Sequence, residues 1–201
     1  MRRFITESDR LEAFSDGVIA VIITIMVLEL RPPDSTRLSA LLGVWPTFAA
    51  YALSFTYVGI YWNNHHHMLR ATRGIDGRAM WANLYLLFWL SLIPFATAWW
   101  GRNPSGPGPT AAYAFVLLMC GIAYFFLQRA LIIVNGKDAP FAQAIKADLK
   151  GTGSIVLYLV ALGLAFVEPL GSAVIFVAVA LTWLVPDKRF EPLICIKDEP
   201  D

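Results

Sequence analysis

The sequence predicts an all-α membrane protein with six transmembrane helices, on three observations. Of its 201 residues, 57% are hydrophobic and only 15% charged, where soluble domains carry about 25% charged residues. The apolar residues fall into six runs, the first four long enough for a bilayer core of ~30 Å and the last two short but acceptable at a modest mismatch cost. The basic residues are distributed asymmetrically between those runs. With a cytoplasmic N-terminus, segments 1–11, 63–79, 129–152 and 187–201 hold 13 of the 16 Lys and Arg, leaving Arg31, Arg37 and Arg102 outside. The positive-inside rule selects this orientation, which requires an even number of spans and puts both termini in the cytoplasm. The expected location is the inner (plasma) membrane, multi-pass. The net charge of +1 gives no electrostatic footprint for nucleic acid.

The first span is expected over 12–30, about 28 Å long as a helix. So many Val and Ile residues make a poor helix in water. In lipid, a helix satisfies each backbone group within its own segment. The span closes at Arg31-Pro32-Pro33-Asp34, where proline cannot continue a helix. The second is expected over 40–62 and the third over 80–100, with Trp62, Trp81, Trp99 and Trp100 at the interfaces as belt aromatics. Residues 103–109, rich in Pro and Gly, predict an irregular outer turn. The fourth span covers 110–134, with Arg129 snorkelling from its last turns. Breaks at Pro140, Gly151 and Gly153 leave room for a short interfacial helix within 141–149. The fifth (153–168) and sixth (170–186) are short and nearly continuous, so a tight hairpin is expected. Residues 1–190 thus form one transmembrane domain, and 191–201 a polar cytoplasmic tail. Cys120 and Cys195 do not make a disulfide framework.

The first span opens with a polar cluster. Asp16 lies about one turn inside the helix, where an unpaired carboxylate is expensive. Arg10, on another face, pairs with it poorly. The end of the second span offers Asn63, Asn64, His65, His66 and His67 at the same depth, and the third offers Trp81 and Asn83. A polar knot joining three helices would fix the rotation of the first. The competing reading makes Ser15 and Asp16 an N-cap for a helix that begins later. The histidine run does not read as a metal site, because adjacent helical residues point 100° apart. One histidine bonded to Ser15 or Asp16 fits better.

On the first span, Gly17, Val21, Thr24 and Leu28 fall within about 60° of one another. Such a stripe serves as a close-packing face. In a symmetric bundle it would instead enclose a narrow pore, with an apolar constriction at Val21 and a ring of Thr24 hydroxyls. That reading implies oligomerisation. No paired carboxylates, catalytic triad, phosphate loop or CxxC motif points to an enzyme, and no cofactor is expected.

Arg10-xxx-Phe14-Ser15-Asp16-Gly17-Val18-x-Ala20-Val21-xx-Thr24 resembles the opening signature of the transmembrane protein 175 family of potassium channels, in its bacterial six-span form. Trp62-xx-His65-His66, Trp81-x-Asn83-xxx-Leu87 and Pro94-Phe95 resemble its further motifs, so the likeness covers 10–95. The resemblance implies a homotetramer whose first helices line a central pore, without a conventional selectivity-filter loop. It implies leak-like conduction, with potassium and other monovalent cations as the permeating species. It implies that Phe14-Ser15-Asp16 packs with Arg10 and with His and Trp residues of the next two spans, rather than coordinating ions. It also implies a narrowest point at Val21, followed by Thr24, with Ile25 or Leu28 beyond. The alternative is a secondary transporter or accessory membrane protein. Transporters show broken helices and polar midplane sites, and in this sequence the midplane reads as nearly bare, with Thr24 alone.

Overall fold

A computed structural model describes residues 2–72, 74–136 and 148–184, with side chains from residue 9 onward. Within these residues the architecture is helical. Helix α1 is Arg2–Leu28. A 3-10 turn (Leu38–Ala40) leads into α2, Leu41–Arg70. Then follow α3 (Gly77–Ser91), α4 (Ile93–Arg102), α5 (Pro107–Asn135), α6 (Leu149–Leu164) and α7 (Pro169–Leu184). Six apolar segments are therefore present, the third divided into α3 and α4. Four are long and apolar enough to cross a membrane: Asp9–Leu28, Leu38–Arg70, Gly77–Arg102 and Pro107–Asn135. The expected helix within 141–149 and the tail at 191–201 lie almost wholly outside the described residues.

The boundaries differ from expectation where local chemistry permits it. Helix α2 runs on through all three histidines to Arg70. The third span is not one helix. Pro94 has no N–H to donate to Leu90, and its ring crowds that carbonyl. The chain breaks at Leu92 (φ −87°, ψ −11°) and restarts with Pro94 in the first turn of α4. Helix α5 begins inside the stretch expected to be irregular, because Pro107 and Pro109 occupy first-turn positions that need no intrahelical N–H bond. Thr110 then bonds back to the Gly106 carbonyl (N···O 3.1 Å, Oγ1···O 2.8 Å). Ser15 and Asp16 do not cap a helix; they lie inside α1, and Ser15 Oγ donates to the Leu11 carbonyl at 2.8 Å.

Helix α1 packs on α2, α3 and α4, while α5 packs on α3, α4 and α6. Helices α6 and α7 pair as a hairpin, and α7 also reaches α2 and α5. The core between these layers is aromatic. Trp100, expected at an interface, is buried and stacks on Tyr113 with centroids 4.7 Å apart. Phe176 meets both rings edge-on, and its carbonyl accepts from Tyr57 Oη at 2.6 Å.

The membrane interior is less bare of polar groups than the sequence suggested. Ser54, Thr97 and Tyr113 are all buried. Ser54 Oγ lies 2.8 Å from Tyr113 Oη and 2.7 Å from Thr97 Oγ1. These hydroxyls satisfy one another across α2, α4 and α5, forming a staple rather than an open polar site.

Helices α2 and α4 cross closely at Gly101. A Cβ there would lie 3.0 Å from Thr47 Cα and 3.1 Å from Ala50 Cβ, and Thr47 Oγ1 donates to the Gly101 carbonyl at 3.1 Å. Since the opposing atoms belong to backbone or a short side chain, they cannot rotate away. Gly101→Leu is expected to destabilise the fold by about 2–3 kcal/mol, measured as a lowered thermal midpoint in detergent. An unchanged midpoint would contradict the close crossing.

Candidate functional site

Helix α1 has two faces. Leu11, Ser15, Ile19, Ile22 and Met26 recur at steps of three and four and are buried against α2, α3 and α4. The other face carries Phe14, Gly17, Val21, Thr24, Ile25 and Leu28, all exposed on the subunit. Val21 is 54% exposed, Ile25 47% and Leu28 79%. The stripe located by helical angles is thus left uncovered by the rest of the described residues. Thr24 Oγ1 donates to the Val21 carbonyl at 2.9 Å. Its proton is engaged by the helix, so the oxygen presents lone pairs outward, the polarity that suits a cation.

Behind the stripe, the inner ends of α1, α2 and α3 are tied by two sets of contacts. The first is fully buried. Asn83 Nδ2 donates to Ser15 Oγ at 2.9 Å, and Asn83 Oδ1 lies 2.7 Å from His65 Nε2. With the amide oriented in this way, His65 carries its proton on Nε2 and donates to Asn83. One asparagine therefore links all three helices. The expectation of a histidine bonded directly to Ser15 or Asp16 is corrected: His65 reaches Ser15 only through Asn83.

The second set is half-exposed. Asp16 Oδ1 accepts from Trp62 Nε1 at 2.9 Å. Glu12 Oε1 lies 2.7 Å from His66 Nδ1 and 3.9 Å from Arg70 Nε. The Trp62 and His66 rings stack, with centroids 6.0 Å apart. Glu12 was missed as a site residue, and Trp62 was not identified as the partner of Asp16. The signal was present as spacing. Glu12 and Asp16 are four apart on α1, Trp62 and His66 four apart on α2, so two carboxylates face two ring nitrogens.

Three expected members of the knot are not gathered into it by the subunit. Trp81 is 75% exposed and Phe14 52%. Arg10 is exposed as well, and lines a groove with Phe14, Ile75, Asp76, Met80 and Leu84.

Residues 10–94 match the family described as "Endosomal/lysosomal potassium channel TMEM175". The chain is 46% identical over 182 residues to a potassium channel of Chryseobacterium sp. (strain P1-3), covering 90% of this chain and 95% of that one. The chain belongs to the TMEM175 family. A potassium channel of Streptomyces collinus (strain DSM 40733 / Tue 365) is 33% identical over 175 residues, covering 81% of this chain and 84% of that one. The crystal structure of a lysosomal potassium-selective channel TMEM175 homolog from Chamaesiphon minutus superposes with a TM-score of 0.80. It is 28% identical and covers 90% of this chain and 98% of that one. The TMEM175 match spans α1 to the start of α4, the part that holds the uncovered stripe and every member of the knot. The chain is accordingly a multi-pass membrane protein of a channel family.

Proposed function

We propose that this chain forms a potassium-permeable, leak-like channel, a homotetramer in which four copies of α1 surround a central pore. The observation that carries the reading is the uncovered stripe Gly17, Val21, Thr24, Ile25 and Leu28 on a helix whose opposite face is buried. The TMEM175 membership and relatives named potassium channels support it. A bare face of this kind needs a partner, and a rotational axis supplies the same face from each copy. Apolar rings along a narrow conduit hold back water and slow the ion, while hydroxyl rings replace part of its hydration shell. The buried knot at Ser15, Asn83 and His65 sets the rotation of α1 and does not touch the ion. Arg10, Phe14 and Trp81 lie where an adjacent copy would meet the subunit. Both termini are on the cytoplasmic side of the inner membrane, and the protein acts without catalysis or a cofactor.

Potassium flux into vesicles holding the purified chain tests this. Current should flow without a gradient of a second ion, and cysteines placed along 17–28 should react with thiol reagents on the stripe positions. Strict coupling to a second ion would favour a secondary transporter. The division of the third span and the buried Ser54–Thr97–Tyr113 cluster are features that class also shows. That cluster is closed, however, with its hydroxyls spent on one another. Thr24→Val, which keeps the shape and removes the oxygen, is expected to lower the potassium-to-sodium permeability ratio at least about threefold. A ratio unmoved by this change would remove Thr24 from the conduction path.

A further inference from the structure

We infer that this chain carries a binding site for a primary alkylammonium group, in a cavity between α2, α5, α6 and α7 at the end of the bundle that also holds the knot. The cavity has a volume of about 40 Å³, room for about three water molecules. No described residue of α1 lines it, so the site stands apart from the uncovered stripe.

The walls of the cavity are aromatic. Tyr57 and Tyr61 from α2, Tyr124 from α5, Tyr158 from α6 and Trp183 from α7 line it. The tyrosines form two edge-on pairs, Tyr57 with Tyr158 at 6.2 Å between centroids and Tyr61 with Tyr124 at 5.9 Å. Ring faces carry negative potential and attract a cation within about 6 Å. Trp183 is held in place by its Nε1–H, which donates to Ser154 Oγ at 2.9 Å. Among the described residues no charged side chain lines the cavity, so none of them supplies the cation. The carboxylate of Asp148 stands beside the lining Gly151, whose N–H donates to Asp148 Oδ1 at 2.9 Å, and adds to the negative potential.

The open polar atoms of the lining are acceptors. Asn64 Nδ2 donates to the Ile60 carbonyl at 2.8 Å, and its Oδ1 has no partner among the described residues. Ser154 Oγ donates its proton to the Lys150 carbonyl at 2.8 Å while accepting from Trp183, and keeps a lone pair. Tyr61, partly buried against the core, has no hydrogen-bond partner for Oη among the described residues. Three oxygens can therefore accept the three N–H bonds of a primary ammonium group. A trimethylammonium group has no N–H to offer them, and its bulk exceeds the cavity. An anion would meet ring faces and a carboxylate. The occupant is thus an ammonium carrying one or two methylenes, with the rest of its molecule outside. A phosphatidylethanolamine headgroup and a free small amine both present this group.

The test labels the full chain with fluorotryptophan and follows it by fluorine NMR in detergent. The resonance lost in Trp183→Phe is that of Trp183. Ethylammonium chloride, titrated at constant ionic strength, is expected to move this resonance saturably in the millimolar range. Tetramethylammonium at equal concentration should move it at least about tenfold less. Tyr61→Phe removes an oxygen that has no partner among the described residues, so the fold is kept and the affinity for ethylammonium should fall at least about threefold. Nanodiscs separate the two sources. A shift in phosphatidylethanolamine relative to phosphatidylcholine, with no amine added, identifies the lipid headgroup; a shift only when ethylammonium is added identifies a free amine. No saturable shift from either source, an equal response to tetramethylammonium, or an unchanged affinity in Tyr61→Phe would overturn the site. Binding is read without any current, so failure here leaves the channel proposal standing.

Discussion

Asn83→Leu is expected to cost about 2–3 kcal/mol of stability. The side chain is fully buried and makes a bond to each of two other helices: Nδ2 to Ser15 Oγ at 2.9 Å and Oδ1 to His65 Nε2 at 2.7 Å. Leucine fills the volume, so packing is kept and the polar loss is isolated. Ser15 still donates to the Leu11 carbonyl and is only partly deprived. The His65 Nε2–H is left buried without its acceptor, the more costly half. Interhelical bonds in membranes average only ~0.6 kcal/mol, because the unfolded chain in lipid also finds partners. Two bonds and one stranded donor set the estimate. By contrast Trp62→Phe, which removes the donor to the half-exposed Asp16, should cost about 1 kcal/mol or less. The measurement is the thermal midpoint of the purified protein. If both variants melt together, Asn83 is not the hub.

The contrast between the two losses also explains what the sequence could and could not reveal. The six apolar segments were legible because each is a long run between charged or Pro-rich punctuation, and lipid allows such a run little choice but helix. The uncovered stripe on α1 was legible because helical angles depend only on spacing. The partners within the knot were not, because they depend on the rotation of α2 and α3 about their own axes, which no local pattern encodes. The sequence placed Asp16, the histidines and Asn83 at one depth; which bonds to which required the packing. The division of the third span at Leu92 was half legible. Pro94 was visible, but membrane helices often absorb a proline as a kink when neighbours satisfy the freed carbonyl. Trp100 was read as a belt residue from its position at a span end, whereas stacking on Tyr113 and Phe176 draws it inward. Pattern alone cannot distinguish an aromatic at the interface from one in the core.

Val21→Ser is expected to raise unitary conductance about tenfold, and Val21→Trp to reduce flux more than about tenfold. The argument starts from exposure. Val21 stands 54% free on its subunit, and in the proposed tetramer its four copies face the axis. A ring of isopropyl groups holds back water chiefly because it offers no hydrogen bonds. Serine removes two methyl groups per copy and adds a hydroxyl, so the constriction both widens and wets. Tryptophan has the opposite effect through volume. Ile25 and Leu28 lie on the same uncovered face, at 47% and 79% exposure, and serve as the comparison positions. The three positions are separable, since only the narrowest ring controls the barrier. Serine at that ring should give the large rise, and serine at the other two should change conductance by less than about twofold. Ile22→Ala supplies the contrast from the opposite face. Ile22 is 3% exposed, so its truncation should lower stability by about 2–4 kcal/mol while leaving the conductance of each folded channel unchanged. Single-channel recording distinguishes these outcomes from changes in protein amount. If Ile22→Ala changed conductance and none of the serine substitutions did, the buried and uncovered faces of α1 would have to exchange roles.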